Sequence, residues 1–314
     1  MTEQYGQPSI NLQSSSPTTI YIRGLSDLDN FAPADLATGE RRIFTPAGSP
    51  GVELRIEGQI QLPDGQYILD DVPPGPNQGV TFTGRSANLD GLSGNVDGPL
   101  IIGTNGANMR QLTLENESSA GACIQVGDLL QGIPAGIPEF RTSVIEKVAL
   151  LGKGGGILLS SPQPPPLGAT IGMLIQDITS RCSLYAVRME NFFTAGVRIQ
   201  GLVNINQDSG LEAIQVAIAP PASGVGPIAI RGCSFFVDNG VPGDAKAIVF
   251  DDVSVIGTFA IEGCGFEVAD PADAIYDNAT AGAVTPGAGP AADLISRSNV
   301  LLDSPPVLIA QNPV

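Results

Sequence analysis

The chain has 314 residues, with 32 Asp and Glu against 15 Lys and Arg and no His, a formal net charge of −17. So acidic a surface repels phosphate backbones and anionic bilayers, which argues against a nucleic-acid or membrane-surface role. Without His there is no Ser-His-Asp triad, no His-ligated metal and no imidazole base. Gly (39) and Pro (26) are frequent, while charged residues make up 15% and aromatics 5%, with no Trp. Those proportions predict an all-β chain with many corners and a core of Val, Ile and Leu.

In chain order, Met1 to Thr19 is polar, carries SSSPTT and reads as an extended arm. It has no basic stretch followed by an apolar one, and no run reaches the ~18 apolar residues of a membrane span. The expectation is a protein made in a cytoplasm without a signal peptide. Residues 20–51 read as an N-terminal cap, with one short helix in SDLDNFAPADLATGE, capped near Ser26. Residues 304–314 form a C-terminal tail.

Between them, residues 52–303 hold short alternating runs ended by Gly, Asn, Asp or Pro, with no long amphipathic helix. The clearest repeat sets IAIRGCSFF (Ile228 to Phe236) against FAIEGCGFE (Phe259 to Glu267), 31 residues apart. Each reads as strand, sharp corner, strand. Ile230, Cys233, Phe235, Ile261, Cys264 and Phe266 point inward, and Arg231 and Glu262 point out. In-register stacking places Cys233 over Cys264 and Phe235 over Phe266. MRQLTLEN (Met109 to Asn116) and YAVRMENFF (Tyr185 to Phe193) read as weaker copies. The fold this predicts is a single right-handed parallel β-helix, a solenoid of roughly ten coils of ~20–25 residues. Loops are expected at residues 73–78, 129–140, 160–170, 219–226 and 280–291.

Residues that could carry chemistry are sparse. Cys123, Cys182, Cys233 and Cys264 lack metal spacing and sit in apolar alternating runs, so they read as reduced, buried thiols. The acidic pairs are Asp27/Asp29, Asp70/Asp71, Glu115/Glu117, Asp251/Asp252 and Asp270/Asp273. With 32 acids such neighbours arise by chance, and Asp is a common turn residue. The five Tyr (Tyr5, Tyr21, Tyr67, Tyr185, Tyr276) are scattered, which argues against a saccharide groove. KGGGI (Lys153 to Ile157) lacks the phosphate-loop spacing and reads as a corner. Asn116, Asn191, Asn204 and Asn239 are expected in left-handed turns. No catalytic, cofactor or metal residue is assigned, and no cofactor is expected.

The N-terminal order IYIRGLSDLDNF, LRIEGQIQLPDGQYIL, GVTFTGRSANLDGLSG, GPLIIGTNGANMRQLTLENES resembles the opening of β-helical virion proteins of tailed bacteriophages. The resemblance covers roughly residues 20–125 by phrase and the remainder by pattern alone. It implies a non-enzymatic homotrimeric decoration or spike protein, attached to other virion proteins of head or tail and released by lysis. The same family includes tailspikes that cleave or bind host surface polysaccharide, which is the alternative reading.

Overall fold

The computed structural model describes residues 17–43, 51–70, 79–103, 107–127, 141–160, 171–190, 194–217, 227–253, 259–302, 306–309 and 311–312. The protein is all-β and built on three ten-stranded sheets. The first contains Thr18–Ile22, Val52–Ile56 and Val80–Thr83; the second Gln59–Gln61 and Gly91–Gly94; the third Glu40–Ile43 and Tyr67–Asp70. The chain visits them in the order first, second, third and then returns to the first. Eight circuits with all three strands, the first beginning at Val52 and the eighth at Phe259, stack between partial circuits at either end. Neighbouring circuits pair in parallel, while the terminal pairings of Tyr276 with Ala283 and Val300 with Leu308, and a single bridge between Ala34 and Arg41 in the N-terminal cap, are antiparallel. Successive circuits are 22 (Gly91 to Thr113) to 36 (Asn108 to Val144) residues apart, most of them longer than the expected 20–25.

The corner between the first and second sheets explains the register. There one residue adopts a left-handed conformation in seven successive circuits: Gln111, Lys147, Asp177, Gly201, Gly232, Gly263 and Ser298, with φ between 53° and 64°. A left-handed residue turns the chain sharply while its N–H stays in line with the ladder. Gln111 N–H donates to the Glu146 carbonyl (3.0 Å), Lys147 to Gln176 (3.0 Å), Gly232 to Glu262 (3.0 Å) and Gly263 to Arg297 (2.9 Å). The hydrogen-bond ladder therefore runs through the bend without a break.

Side chains on either side of that corner point inward and build the core. Ile230, Cys233, Phe235, Ile261, Cys264 and Phe266 are all buried, and the strands pair Ile230 with Ile261 and Phe235 with Phe266, as the repeat predicts. Arg231 and Glu262 face out and pair with each other at 2.8 Å. Met109 to Asn116 has the same strand–corner–strand form. YAVRMENFF does not: Tyr185–Glu190 is a single strand of the third sheet, and Asn191 to Phe193 lie outside the described residues. The copy in its circuit is IQDITS (Ile175 to Ser180). All four thiols are free and buried. A hydrogen bond with Cys182, then burial, pushes the Cys123 thiol up; the same causes act on Cys233 beside Cys264.

Both ends are closed by the chain itself. At the start, helix Leu25–Phe31 takes the place of a second-sheet strand and buries Leu28. Its N-cap is Gly24, not Ser26, and Asp27 folds back to accept from the Arg23 N–H (2.8 Å). Arg41, 1% exposed, ties this cap to the first full circuit by donating to the Ala32 carbonyl (2.6 Å), Asp29 (2.5 Å) and Gln66 (2.9 Å). At the far end the inward positions turn polar. Ser296 stands where the six preceding circuits have Ile or Met, and Asn299 where they have Leu, Val, Ile or Cys. Asn299 accepts from Cys264 N–H (2.9 Å) and donates to the Ile261 carbonyl (3.0 Å). The tail then caps this last circuit: Ile309 N–H donates to the Asn299 carbonyl, Asn312 N–H to the Ser296 carbonyl, and Asn312 Nδ2 to the Leu294 carbonyl. Terminal repeats with a polar outer surface end a stack in this way.

Two phrases behind the family resemblance prove to be corner clamps. Asp90, fully buried, accepts from Gly58 N–H (2.6 Å) and from Arg85 through its N–H (2.6 Å), Nε (3.1 Å) and Nη2 (2.7 Å). Asn116 accepts from Val96 N–H (3.1 Å) and donates to the carbonyls of Val96, Gly98 and Ala122 (3.0 Å each). Neither Asn116, Asn204 nor Asn239 has a positive φ, so the expected left-handed asparagines are corrected; Asn116 instead satisfies buried backbone. Asn191 lies outside the described residues.

Candidate binding face

The third sheet carries the densest set of interacting polar side chains, because its strands break the usual alternation. In Ala122–Val126, Gly155–Ser160, Tyr185–Glu190 and Glu212–Ala217, two consecutive residues turn inward: Cys123 and Ile124, Gly156 and Ile157, Ala186 and Val187, Ala213 and Ile214. The partner register skips the first of each pair. Outward side chains three residues apart then meet across the break, forming a polar seam along the stack.

Tyr185 lies against Gly155, where a side chain would strike its ring, and the Arg188 guanidinium stands 5.9 Å above the ring centroid. Burial pushes the Tyr185 phenol up to about 12. Arg188 Nε pairs with Glu190 at 2.5 Å. Two and three circuits further on, Lys246 Nζ sits 4.7 Å over the Tyr276 ring and donates to the Gly243 carbonyl (2.8 Å). Asp251 Oδ1 accepts from Asn278 Nδ2 (3.0 Å) and Gln215 Nε2 (3.4 Å). The carboxyl of Glu212 is held above its ordinary range, first by burial and then by the charge of Asp251. Tyr67, further down the sheet, donates to Glu40 at 2.6 Å, and burial with that bond pushes its phenol up to about 12.

Three of the five tyrosines, Tyr67, Tyr185 and Tyr276, thus share one sheet although the sequence spreads them over 209 residues. Of the acidic pairs, Asp251 acts by its charge on a carboxyl of another circuit, Glu212. Asp29 pairs with Arg41, Asp270 caps a short turn by accepting from Ala272 N–H (2.8 Å), and buried Asp273 accepts from Gly243 N–H (2.8 Å). Asp70 is buried at a strand end, Asp71 lies outside the described residues, and Glu115 and Glu117 stay on the second sheet and its corner. Gly154 and Gly155 of KGGGI form a corner packed on Gly121 and Tyr185. Glu212, Arg188 and Lys246 carry no sequence motif; a charge opening an otherwise apolar run, as in LEAIQVAI, is their only signal.

The loops read from the sequence share one location. Residues 73–78, 129–140, 161–170 and 219–226 lie outside the described residues, and each connects a third-sheet strand to the following first-sheet strand. Residues 280–291 make the same connection. Each of these connections therefore leaves the end of a strand of the sheet that carries the seam. Among the described residues no group of three His, Cys, Asp or Glu is placed to hold a metal ion, and no helix is long and apolar enough to cross a membrane.

The fold and seam define an all-β protein of long parallel sheets with an internally paired polar face. No protein-family model, no curated protein and no solved structure matches the chain.

Proposed function

We propose that the chain is a right-handed parallel β-helix serving as a non-enzymatic structural component of a tailed-phage virion, a homotrimeric decoration or spike protein on head or tail. Parallel strands joined by crossovers within one sheet are almost always right-handed, which supports the handedness. The resemblance over residues 20–125 supports the virion setting. The observation that carries the structural role is at the seam. Asp251 Oδ1 accepts from Asn278 Nδ2 (3.0 Å) and Gln215 Nε2 (3.4 Å), so two amides hold the carboxyl that a hydrolase would have to leave free for the glycosidic bond or its water. Arg188 and Lys246 are likewise engaged by neighbours. The test is to band phage particles on a density gradient and measure the protein by quantitative mass spectrometry. The proposal expects it in the particle band, in a copy number divisible by three. Its confinement to the soluble lysate would refute the proposal.

A second reading, a tailspike that binds or cleaves host polysaccharide, is favoured by the gathering of Tyr185, Tyr276 and the long connections beside one sheet. Incubation of the protein with capsular or O-antigen polysaccharide separates the two. New reducing ends or unsaturated products would establish the enzyme; their absence supports the structural reading.

A further inference from the structure

Charge is distributed unevenly around the circuit. The ten first-sheet strands hold six of the fifteen cations but only three of the thirty-two acids. Arg55, Arg110, Arg231 and Arg297 stand in one outward column, in register with Thr83, Glu146, Gln176, Gln200 and Glu262. The adjoining outward column carries half-buried Val144, Leu174, Ala229, Ala260 and Ile295, with Arg198 among them. Arg110 and Arg231 are partnered by Glu146 (3.9 Å) and Glu262 (2.8 Å). Arg198 and Arg297 are exposed and have no carboxylate partner among the described residues. A flat aliphatic surface studded with arginine has the composition of a protein interface.

The corner joining the second sheet to the third, the one corner in which the first sheet takes no part, has the opposite character. Its eight connections between Leu62 and Ala274 hold eight acids and a single cation, Lys153. Asp64, Asp97, Glu117 and Asp208 are exposed there. Both features run lengthwise along the same stack, so they share its inter-strand repeat of about 4.8 Å.

We propose that the outer face of the first sheet docks the acidic corner between the second and third sheets of a second copy of this chain. The chain carries both complementary surfaces at the same spacing, which favours a copy of itself over an unrelated acidic partner. A face-to-corner contact is heterologous, and such contacts close into rings when the rotation between copies permits. Complementary charge also excludes the face-to-face pairing, which would set arginine against arginine. The inference rests on the trimer reading above and specifies which surfaces meet.

Three variants of the full chain test it by sedimentation velocity from 1 to 100 µM: Arg198→Glu with Arg297→Glu, Glu117→Arg with Asp208→Arg, and the four changes combined. Every altered side chain is exposed, and an unchanged melting temperature confirms that each variant folds. Either pair alone is expected to weaken association at least tenfold, and the combination to restore it to within about threefold of the unaltered chain. Raising NaCl to 1 M is expected to weaken assembly of the unaltered chain. A face variant that assembles as tightly as the unaltered chain overturns this interface while leaving the trimer standing. An unaltered chain that stays monomeric at 100 µM overturns both.

Discussion

The rings of Phe235 and Phe266 stack with centroids 5.2 Å apart and an interplanar angle of 22°, one directly above the other in adjacent circuits. Like-on-like stacking follows from parallel pairing, because a parallel ladder sets equivalent positions of two repeats side by side. Phe266 is fully buried, so Phe266→Ala removes both the stack and the volume beneath the last full circuit. The expected loss is about 3–5 kcal/mol, read as a lower urea midpoint at unchanged slope. A loss below about 1 kcal/mol would show that the position is not packed as described.

The left-handed corner gives a prediction of opposite sign. Lys147 holds φ 55° with a Cβ, which costs roughly 1–2 kcal/mol relative to ordinary backbone, while glycine adopts it freely. Lys147→Gly should therefore leave stability unchanged or raise it by up to about 1 kcal/mol, despite glycine's greater freedom in the unfolded chain. Lys147→Val, β-branched at positive φ, should be clearly destabilising. Thermal melts of the two variants compare them directly, and a glycine variant weaker than the valine one would rule out this corner.

Asp90 makes stability depend on acid. Hydrogen bonds from the Arg85 side chain, then those from backbone N–H groups, hold its carboxyl well below the usual range against the opposing effect of burial. A carboxyl depressed in the folded state stabilises fully above its unfolded value near pH 4, and that contribution fades as pH falls toward the folded value. Asp90→Asn should cost about 2–3 kcal/mol at pH 7, since it removes charge-assisted bonds to Arg85 and Gly58. The gap between the two proteins should narrow between pH 4 and pH 2. Chemical denaturation at pH 7, 4 and 2.5 measures it, and a gap that widens on acidification would contradict the assignment.

The tail acts as a stopper for its own last circuit. Removing everything after Leu302 deletes the antiparallel pairing of Val300 with Leu308 and the bonds from Asn312, leaving the Leu294–Arg297 edge open. Open parallel edges recruit other chains. The truncated protein should melt several degrees lower and form end-to-end aggregates visible by light scattering. A truncated chain that stays as stable and as dispersed as the full one would show that the cap is dispensable.

How much of this was legible beforehand depends on where the repeat is regular. A six-residue unit, inward–out–left-handed–inward–out–inward, recurs as MRQLTL, IEKVAL, IQDITS, IQGLVN, IRGCSF, IEGCGF and SRSNVL. Only the two copies with Gly-Cys in the middle are obvious. In Gln111 and Lys147 the left-handed corner is taken by residues whose identity gives no turn signal, and in Asp177 and Ser298 by residues common in turns of every kind, so those copies hide. The connections from the third sheet to the first vary in length and scatter the copies further. The polar seam was not legible at all, because Tyr67, Tyr185 and Tyr276 come onto one sheet only through the stacking of eight circuits. The corner clamps Asp90 and Asn116 were visible as parts of phrases but not as hydrogen-bonding devices, since most of their partners are backbone groups brought near by the fold, with the Arg85 side chain added at Asp90.

The stack itself is open to a direct distance measurement. Arg55 and Arg297 occupy the same outward column, eight inter-strand steps apart through Thr83, Arg110, Glu146, Gln176, Gln200, Arg231 and Glu262. At about 4.8 Å per step their backbones should lie roughly 38 Å apart. Arg55→Cys with Arg297→Cys can be spin-labelled selectively, because the four native thiols are buried. Double electron–electron resonance on that protein should give a single narrow distribution centred near 38 Å, within the reach of the label. A distance below about 25 Å, or a broad distribution without a maximum, would contradict a continuous in-register stack of circuits.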